Sequence, residues 1–223
     1  MIRILTSYGR LLASAMGHTL LLALYGLFFA CILGIIFGMM SVLHSRVCNI
    51  IAQIFVDIIR GVPMIVLAYF VYFGLPYGLN TLGGLKVTLT AMQAGTICLA
   101  LNCGAYMSEI IRAGIQSVDV GQMEAARSLG LSYWRSMQRV VLPQAIRTMI
   151  PSIINQFIIT LKDTSILSVI GFPELVNTAK NVVANTFMSF QTWIIVGLMY
   201  LIVITTLSRL AKRLEKRLNR DRQ

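Results

Sequence analysis

Four long stretches of this chain carry no charged residue: Thr19 to Leu43, Gly61 to Leu79, Val87 to Ser108 and Asn181 to Ser208. Each is long enough to cross about 30 Å of hydrocarbon as a helix. The whole chain is 57% hydrophobic and only 12% charged, with a mean hydropathy of +0.78, which is too apolar for a soluble domain of 223 residues. These features predict an all-α, polytopic membrane protein forming one integral membrane domain over residues 1–223.

A fifth span is less obvious. The run from Thr148 to Leu161 stops after 14 residues at Lys162-Asp163, and Thr164 to Pro173 is uncharged again. A span opening at Pro151 in its first turn and ending near Gly171 has the required length, and it places both charges at its middle. The alternative begins the span at Pro143 and leaves the pair at the outer interface. The first reading gives about five transmembrane helices.

An odd number of spans puts the termini on opposite sides, and the positive-inside rule chooses between the two arrangements. With the C-terminus in the cytosol, the inside holds Arg46, Arg112, Arg127, Arg135, Arg139, Arg147 and a basic tail over residues 209–223, thirteen cations in all. The outside then holds Arg3, Arg10, Lys86 and Lys180, with Lys162 intramembrane. The net charge of +11 is thereby explained by topology and anionic lipid, and no nucleic-acid partner is expected. The N-terminus lies outside, Met1 to Gly17 being a short lead-in, and the first apolar run is too long for a cleaved signal peptide. Cys31, Cys48, Cys98 and Cys103 are scattered without metal-ligand spacing, so neither disulfides nor a metal site is expected, and small core roles are. His18 and His44 mark opposite ends of the first span as interfacial residues.

Between the third and fourth spans, residues 116–143 read as a cytosolic elbow. Asp119 and Gln122 have the spacing of a reciprocal N-cap, and Gly130 suits the left-handed residue that ends a helix of about ten residues. Ser132 is placed to cap a second helix, running to about Leu142, where Pro143 marks a break or a first turn. The small Ala125 and Ala126 permit close approach of another surface, and Glu124 can hold an orientation.

Glu124-Ala125-Ala126, Gly130 six residues after the Glu and Leu142-Pro143 a dozen residues on resemble the EAA loop of ABC importer permeases. A narrower resemblance, to the polar amino-acid branch of those importers (permeases for His, Glu, Gln, Arg and opines), rests on three further stretches. These are Arg60-Gly61-Val62-Pro63, Tyr106 to Ile115, and Lys162-Asp163-Thr164-Ser165 with Ser168-Val169-Ile170-Gly171. Val62 departs from the usual Thr. The resemblance covers about Thr19 to Arg213 and implies the type I importer permease fold in a bacterial cell (inner) membrane. It also implies a separate ATP-binding subunit, which binds ATP and Mg and receives Glu124, Ala125, Ala126, Gly130, Leu142 and Pro143 in a surface cleft. A second permease subunit, identical or a paralogue, and an extracytoplasmic solute-binding protein complete the implied assembly. The chain itself has no GxxxxGK[ST] loop and no HExxH or GxSxG, so it is expected to be a transport subunit rather than an enzyme, without a cofactor of its own.

Charges within the spans bear on the solute. Glu109 with Arg112 and Asp57 with Arg60 lie three residues apart, so each pair can close locally at a cytosolic helix end; such pairs can pin helices or contact solute. Gly61 and Pro63 side by side predict a kink or a close helix crossing. A charge at mid-bilayer costs roughly 2.5 to 3.5 kcal/mol, so Lys162 and Asp163 must face protein or water. Adjacent helical positions diverge by about 100°, which denies them a good mutual ion pair. A zwitterionic amino acid could supply a carboxylate to Lys162 and an ammonium to Asp163, with Thr164, Ser165, Asn155 and Gln156 as polar contacts. A reading of another class is a non-transporting membrane anchor or sensor that docks the ATPase, but an anchor has no need of intramembrane charges.

Overall fold

The computed structural model describes residues 2–43, 45–84 and 86–220, with side chains through Arg213. His44, Arg222 and Gln223 fall outside the described residues, as do the side chains of Lys216, Arg217 and Arg220. Every regular element among the described residues is helical. Five helical runs are long and apolar enough to cross a membrane: Ile2–Met40, Met64–Gly83, Ala91–Gln116, Tyr133–Ile170 and Ser189–Arg213.

Helix α1 (Ile2–Met40) is continuous from the first described residue, so the lead-in before Thr19 is helical too. Packing explains this: Ile4, Leu12, Ala15 and Met16 are buried against Leu175, Ala179, Val182 and Ile195 of later helices. Further along, Gly26, Ala30, Gly34 and Gly38 form a four-residue-spaced buried stripe. A Cβ added at Gly26, Gly34 or Gly38 would lie 2.6, 2.5 or 2.8 Å from the Cβ of Leu99, Met107 or Ile111 respectively. The stripe lets α1 press backbone-close against α4, the usual solution where lipid removes any hydrophobic drive between helices.

Helix α2 (Arg46–Gly61) opens at Ser45, whose hydroxyl accepts from the Cys48 N–H at 3.5 Å. At Gly61-Val62-Pro63 the helix does more than kink: Val62 is extended (φ −103°, ψ 129°) and Pro63 starts anew. Helix α3 (Met64–Gly83) follows, with a π-helical turn at Phe70–Gly74 and a left-handed end at Gly84 (φ 63°). The second candidate span, Met64–Gly83, is therefore split from α2 by an extended break. Helix α2 leaves Ile50, Ile51, Ile54 and Ile58 exposed, as suits a face turned to lipid.

Helix α4 (Ala91–Gln116) is the central post, entered through a capping box in which Thr90 and Gln93 cap each other. The elbow helix α5 (Val120–Ser128) is capped by Asp119, whose carboxylate accepts from the Gly121 N–H at 2.7 Å. Gln122 does not return the cap; its side chain instead meets Gln144 at 3.4 Å. Gly130 has φ +86°, and Leu131 N–H reaches back to the Ala126 carbonyl at 3.2 Å, closing the turn as a glycine C-cap does.

Helix α6 (Tyr133–Ile170) passes through Pro143 and Pro151 without stopping. A π-helical turn at Met137–Val141 precedes Pro143 and absorbs the hydrogen bond that proline cannot make. The last seven residues of α6, Thr164–Ile170, tighten to a 3-10 helix before Gly171 (φ +77°). Helix α7 (Leu175–Thr186) is capped by Glu174, which accepts from the Val176 and Asn177 N–H groups at 2.7 and 2.5 Å. Helix α8 (Ser189–Arg220) ends the described chain. His18 lies at the α7 end of the molecule, its Nδ1 3.2 Å from the Pro173 carbonyl. Cys98 and Cys103 are buried, Cys31 and Cys48 half-buried, and all four are free.

Candidate solute cavity and coupling elbow

The break between α2 and α3 opens onto a cavity of about 520 Å³. Its other walls come from α4, through Asn102 and Tyr106, and from α6, through Gln156, Ile159, Asp163 and Ile166. Offsets of four on α4, and of three, seven and ten on α6, each define one helical face. Asn102 sits about 16 Å along α4, near the middle of that helix. Polar groups converge there: Asn102 Nδ2 lies 3.8 Å from Met64 Sδ, and Gln156 Nε2 is buried without a partner among the described residues.

Of the six residues that the sequence suggests for solute, the structure brings Gln156 and Asp163 together on this wall. Asn155 and Lys162 are exposed in the single chain and point elsewhere. Thr164 is fully buried and its hydroxyl donates to the Leu161 carbonyl at 2.7 Å; that of Ser165 donates to the Lys162 carbonyl at 2.7 Å. Asn102 is a polar wall residue that sequence reasoning did not single out, and Arg60, read there as the partner of Asp57, lines the wall as well. An Asn in the middle of an uncharged span was the available signal.

The charged pairs rearrange. Glu109 and Arg112 close as expected, with Nε and Nη2 of Arg112 donating at 3.0 and 2.9 Å. Arg60 does not pair with Asp57. It reaches across to Glu109 at 3.4 Å and lies 4.9 Å over the Tyr106 ring. Asp57 makes no ion pair among the described residues.

In the elbow, Glu124 and Ala125 are exposed, whereas Ala126 is buried. The exposed side also carries Val120 at 70% and Leu129 at 85%, apolar groups that one chain leaves uncovered. Underneath, Met123 packs on a cluster of Ile111, Ile115, Met137, Val141, Ala145 and Met149, which ties the elbow to the ends of α4 and α6. Leu142 belongs to the edge of that cluster, and Pro143 is exposed beside it.

Five helices long enough to span a membrane, a polar cavity at a helix break and a packed elbow with exposed apolar groups are the features of a membrane transport permease. The chain belongs to the binding-protein-dependent transport system inner membrane component family, whose sequence profile it matches over residues 26–220. It is 36% identical over 200 residues to the glutamine transport system permease protein GlnP of Escherichia coli (strain K12), covering 90% of this chain and 89% of that one. With the probable glutamine ABC transporter permease protein GlnM of Bacillus subtilis (strain 168) it shares 38% identity over 204 residues, covering 92% and 91%. A crystal structure of an amino acid ABC transporter with histidines superposes with a TM-score of 0.87 at 35% identity, covering 96% of each chain. The inward-facing MetNI methionine ABC transporter shares the fold, with a TM-score of 0.75 at 16% identity over 93% of this chain and 96% of that one.

The chain is thus the multi-pass, inner-membrane permease subunit of an ABC importer, a transport component rather than an enzyme. Such a permease works with a second permease and with a separate subunit that binds ATP. Among the described residues no group of three or more His, Cys, Asp or Glu is placed to hold a metal.

Proposed function

We propose that this permease imports polar amino acids, delivered by an extracytoplasmic solute-binding protein and driven by ATP and Mg on the partner ATPase. The names of its relatives support the solute class. The observation that carries the reading is the carboxylate of Asp163 on the wall of a cavity among the spanning helices, beside the buried Gln156 side chain. Asp163 takes the solute ammonium, Asn102 and Gln156 give neutral hydrogen bonds, and Arg60, on the same wall, takes the carboxylate. Lys162 is not on that wall.

The elbow over residues 116–143 is the docking piece, with Glu124 and Ala125 at its exposed face, Ala126 buried beneath them and so not a docking contact, Gly130 aiming it, and Leu142-Pro143 in the part of α6 that carries it. Closure of the ATPases moves the two elbows, and the pathway between the paired permeases alternates between inward- and outward-facing. The N-terminus is outside and the basic tail cytosolic, in keeping with the distribution of cations. A non-transporting anchor has no use for a polar cavity among its spanning helices. The direct test is ATP-dependent uptake of a panel of labelled amino acids into proteoliposomes holding the whole importer. Uptake of none of them, with an active ATPase and binding protein, would overturn the solute class. Orientation is checked with single cysteines at Thr6 and Ser132 and a membrane-impermeant thiol reagent, expected to reach only Thr6→Cys in intact cells.

A further inference from the structure

A second cavity of about 400 Å³ lies between α2 and α4, on the elbow side of the first. On α2 its lining residues Asn49, Gln53, Asp57 and Arg60 are spaced by four, four and three, so they form one polar stripe. The opposite side of α2 is the exposed isoleucine face. Gln53, Asp57 and Arg60 are exposed to this cavity, while the buried face of α2 is Ala52, Val56 and Ile59, so the charged groups are open to water or a solute and are not packed in protein. Two polar atoms on this lining have no partner among the described residues: Asn49 Oδ1 and Ser108 Oγ, the latter in a residue only 1% exposed.

The charges are not balanced in place. Glu109 is held by both Arg112 and Arg60, while Asp57 makes no ion pair among the described residues. Arg60 lines both cavities. Because Arg112 already gives Glu109 two hydrogen bonds, Arg60 can leave Glu109 without stranding that carboxylate.

We propose that this chamber is a second binding station for the zwitterionic solute, in which Asp57 takes the ammonium and Arg60 the carboxylate. The proposal rests on the amino-acid reading above. Transfer toward the cytosol is then a pivot: Arg60 keeps the solute carboxylate while the ammonium moves from Asp163 to Asp57. The residues Asp57 and Arg60 are three apart on one helix, a spacing at which side chains are neighbours.

The test uses the complete importer in nanodiscs, with the four native cysteines replaced. A single Gln53→Cys reports on the chamber, and Ile159→Cys on the first cavity. Thiol labelling is timed against increasing L-glutamine, L-histidine or L-arginine, and the expected result is that one or more of them slows both probes. Asp57→Asn should raise the concentration for half-protection about tenfold at Gln53→Cys and less than about twofold at Ile159→Cys. Asp163→Asn should do the reverse, Arg60→Gln should weaken both, and Asp57→Glu should recover part of the chamber protection. In Asp57→Asn and Asp163→Asn the unaffected probe shows that the fold is intact. Protection at Ile159→Cys alone, or chamber protection indifferent to Asp57→Asn, would overturn the second station while leaving the amino-acid reading standing. Protection at neither probe by any of the three would overturn both.

Discussion

Charge removal at Asp163 and at its neighbour Lys162 should have opposite consequences, although the two are adjacent in sequence. Asp163 lines the cavity at the break between α2 and α3, and Lys162 is exposed on another face of α6, about 100° round the helix. Asp163→Asn keeps the size of the side chain and removes the charge that meets the solute ammonium. A hydrogen bond to a charged group contributes about 1.5 to 3 kcal/mol, which at 1.4 kcal/mol per factor of ten is roughly a ten- to hundredfold loss of solute affinity. Lys162→Met keeps the apolar stem and removes a charge that does not line the cavity and acts on Asp163 only at a distance, so uptake should change by less than about twofold, as exposed charges contribute at most about 1 kcal/mol. Both variants are compared by initial uptake rates over a range of amino-acid concentrations in proteoliposomes, after checking assembly with the ATPase. Asp163→Asn should raise the half-saturating concentration for every solute accepted. Parental uptake by Asp163→Asn with failure of Lys162→Met would refute the placement of the solute on this wall.

Three other perturbations follow from the fold. Gly130→Val forces a β-branched residue into φ +86°, costing the turn about 1 kcal/mol or more; transport and stimulated ATPase activity should fall together while membrane insertion persists. Gly34→Leu drives a side chain into a gap where Met107 Cβ lies 2.5 Å from the added Cβ, so it should lower the melting temperature of the purified complex, with Gly9→Leu, in open space, as the silent control. Glu174→Ala leaves two amide donors and the Tyr200 hydroxyl, now 3.4 Å from Glu174 Oε2, without their acceptor, and loss of such a cap costs about 0.5 to 2 kcal/mol. Burial raises the Glu174 carboxyl above its usual range, against the amide bonds and Lys180 that lower it. The folded state therefore binds the Glu174 proton more tightly than the unfolded one, and this group's contribution should favour folding as pH falls toward the ordinary Glu range, a dependence that Glu174→Gln abolishes.

Hydropathy made the membrane class and the spanning count legible, because nothing but a bilayer tolerates uncharged runs of that length. Helix extents were less legible, for reasons visible at particular residues. The helical lead-in of α1 depends on Ile4 and Leu12 packing against α7 and α8, contacts between distant parts of the sequence. Pro143 reads as a stop, yet the π turn at Met137–Val141 spends one extra residue and the helix continues. The extent of α2 was not legible either: Asp57 and Arg60 read as the end of the second span, whereas the structure puts them in a separate helix that buries Ala52, Val56 and Ile59 and leaves its isoleucines exposed. In the site, the carboxylate at Asp163 and the glycine at Gly130 could be singled out from rarity and spacing. The partnership of Arg60 with Glu109 could not, since i,i+3 spacing pointed equally well to Asp57.

Helix α6 joins the two halves of the function in one piece. Its first turn belongs to the elbow, and about 45 Å further along it carries Asp163 on the cavity wall. The elbow and the cavity wall are therefore joined by one helix and not by a loop. The π turn before Pro143 is the weak place in that rod, since proline removes one hydrogen bond and π geometry loosens its neighbours. Just beyond it, Met149 crowds Gly114, its Cγ 2.1 Å from where a Cβ would stand, and clamps α6 against the central post. On the proposed reading, movement of the elbow divides at the π turn, with the segment beyond it held by the Gly114–Met149 contact. The prediction is that a disulfide bridging α4 and α6 near that contact stops uptake while ATPase docking persists, and uptake at the parental rate in the crosslinked importer would refute a pivot there.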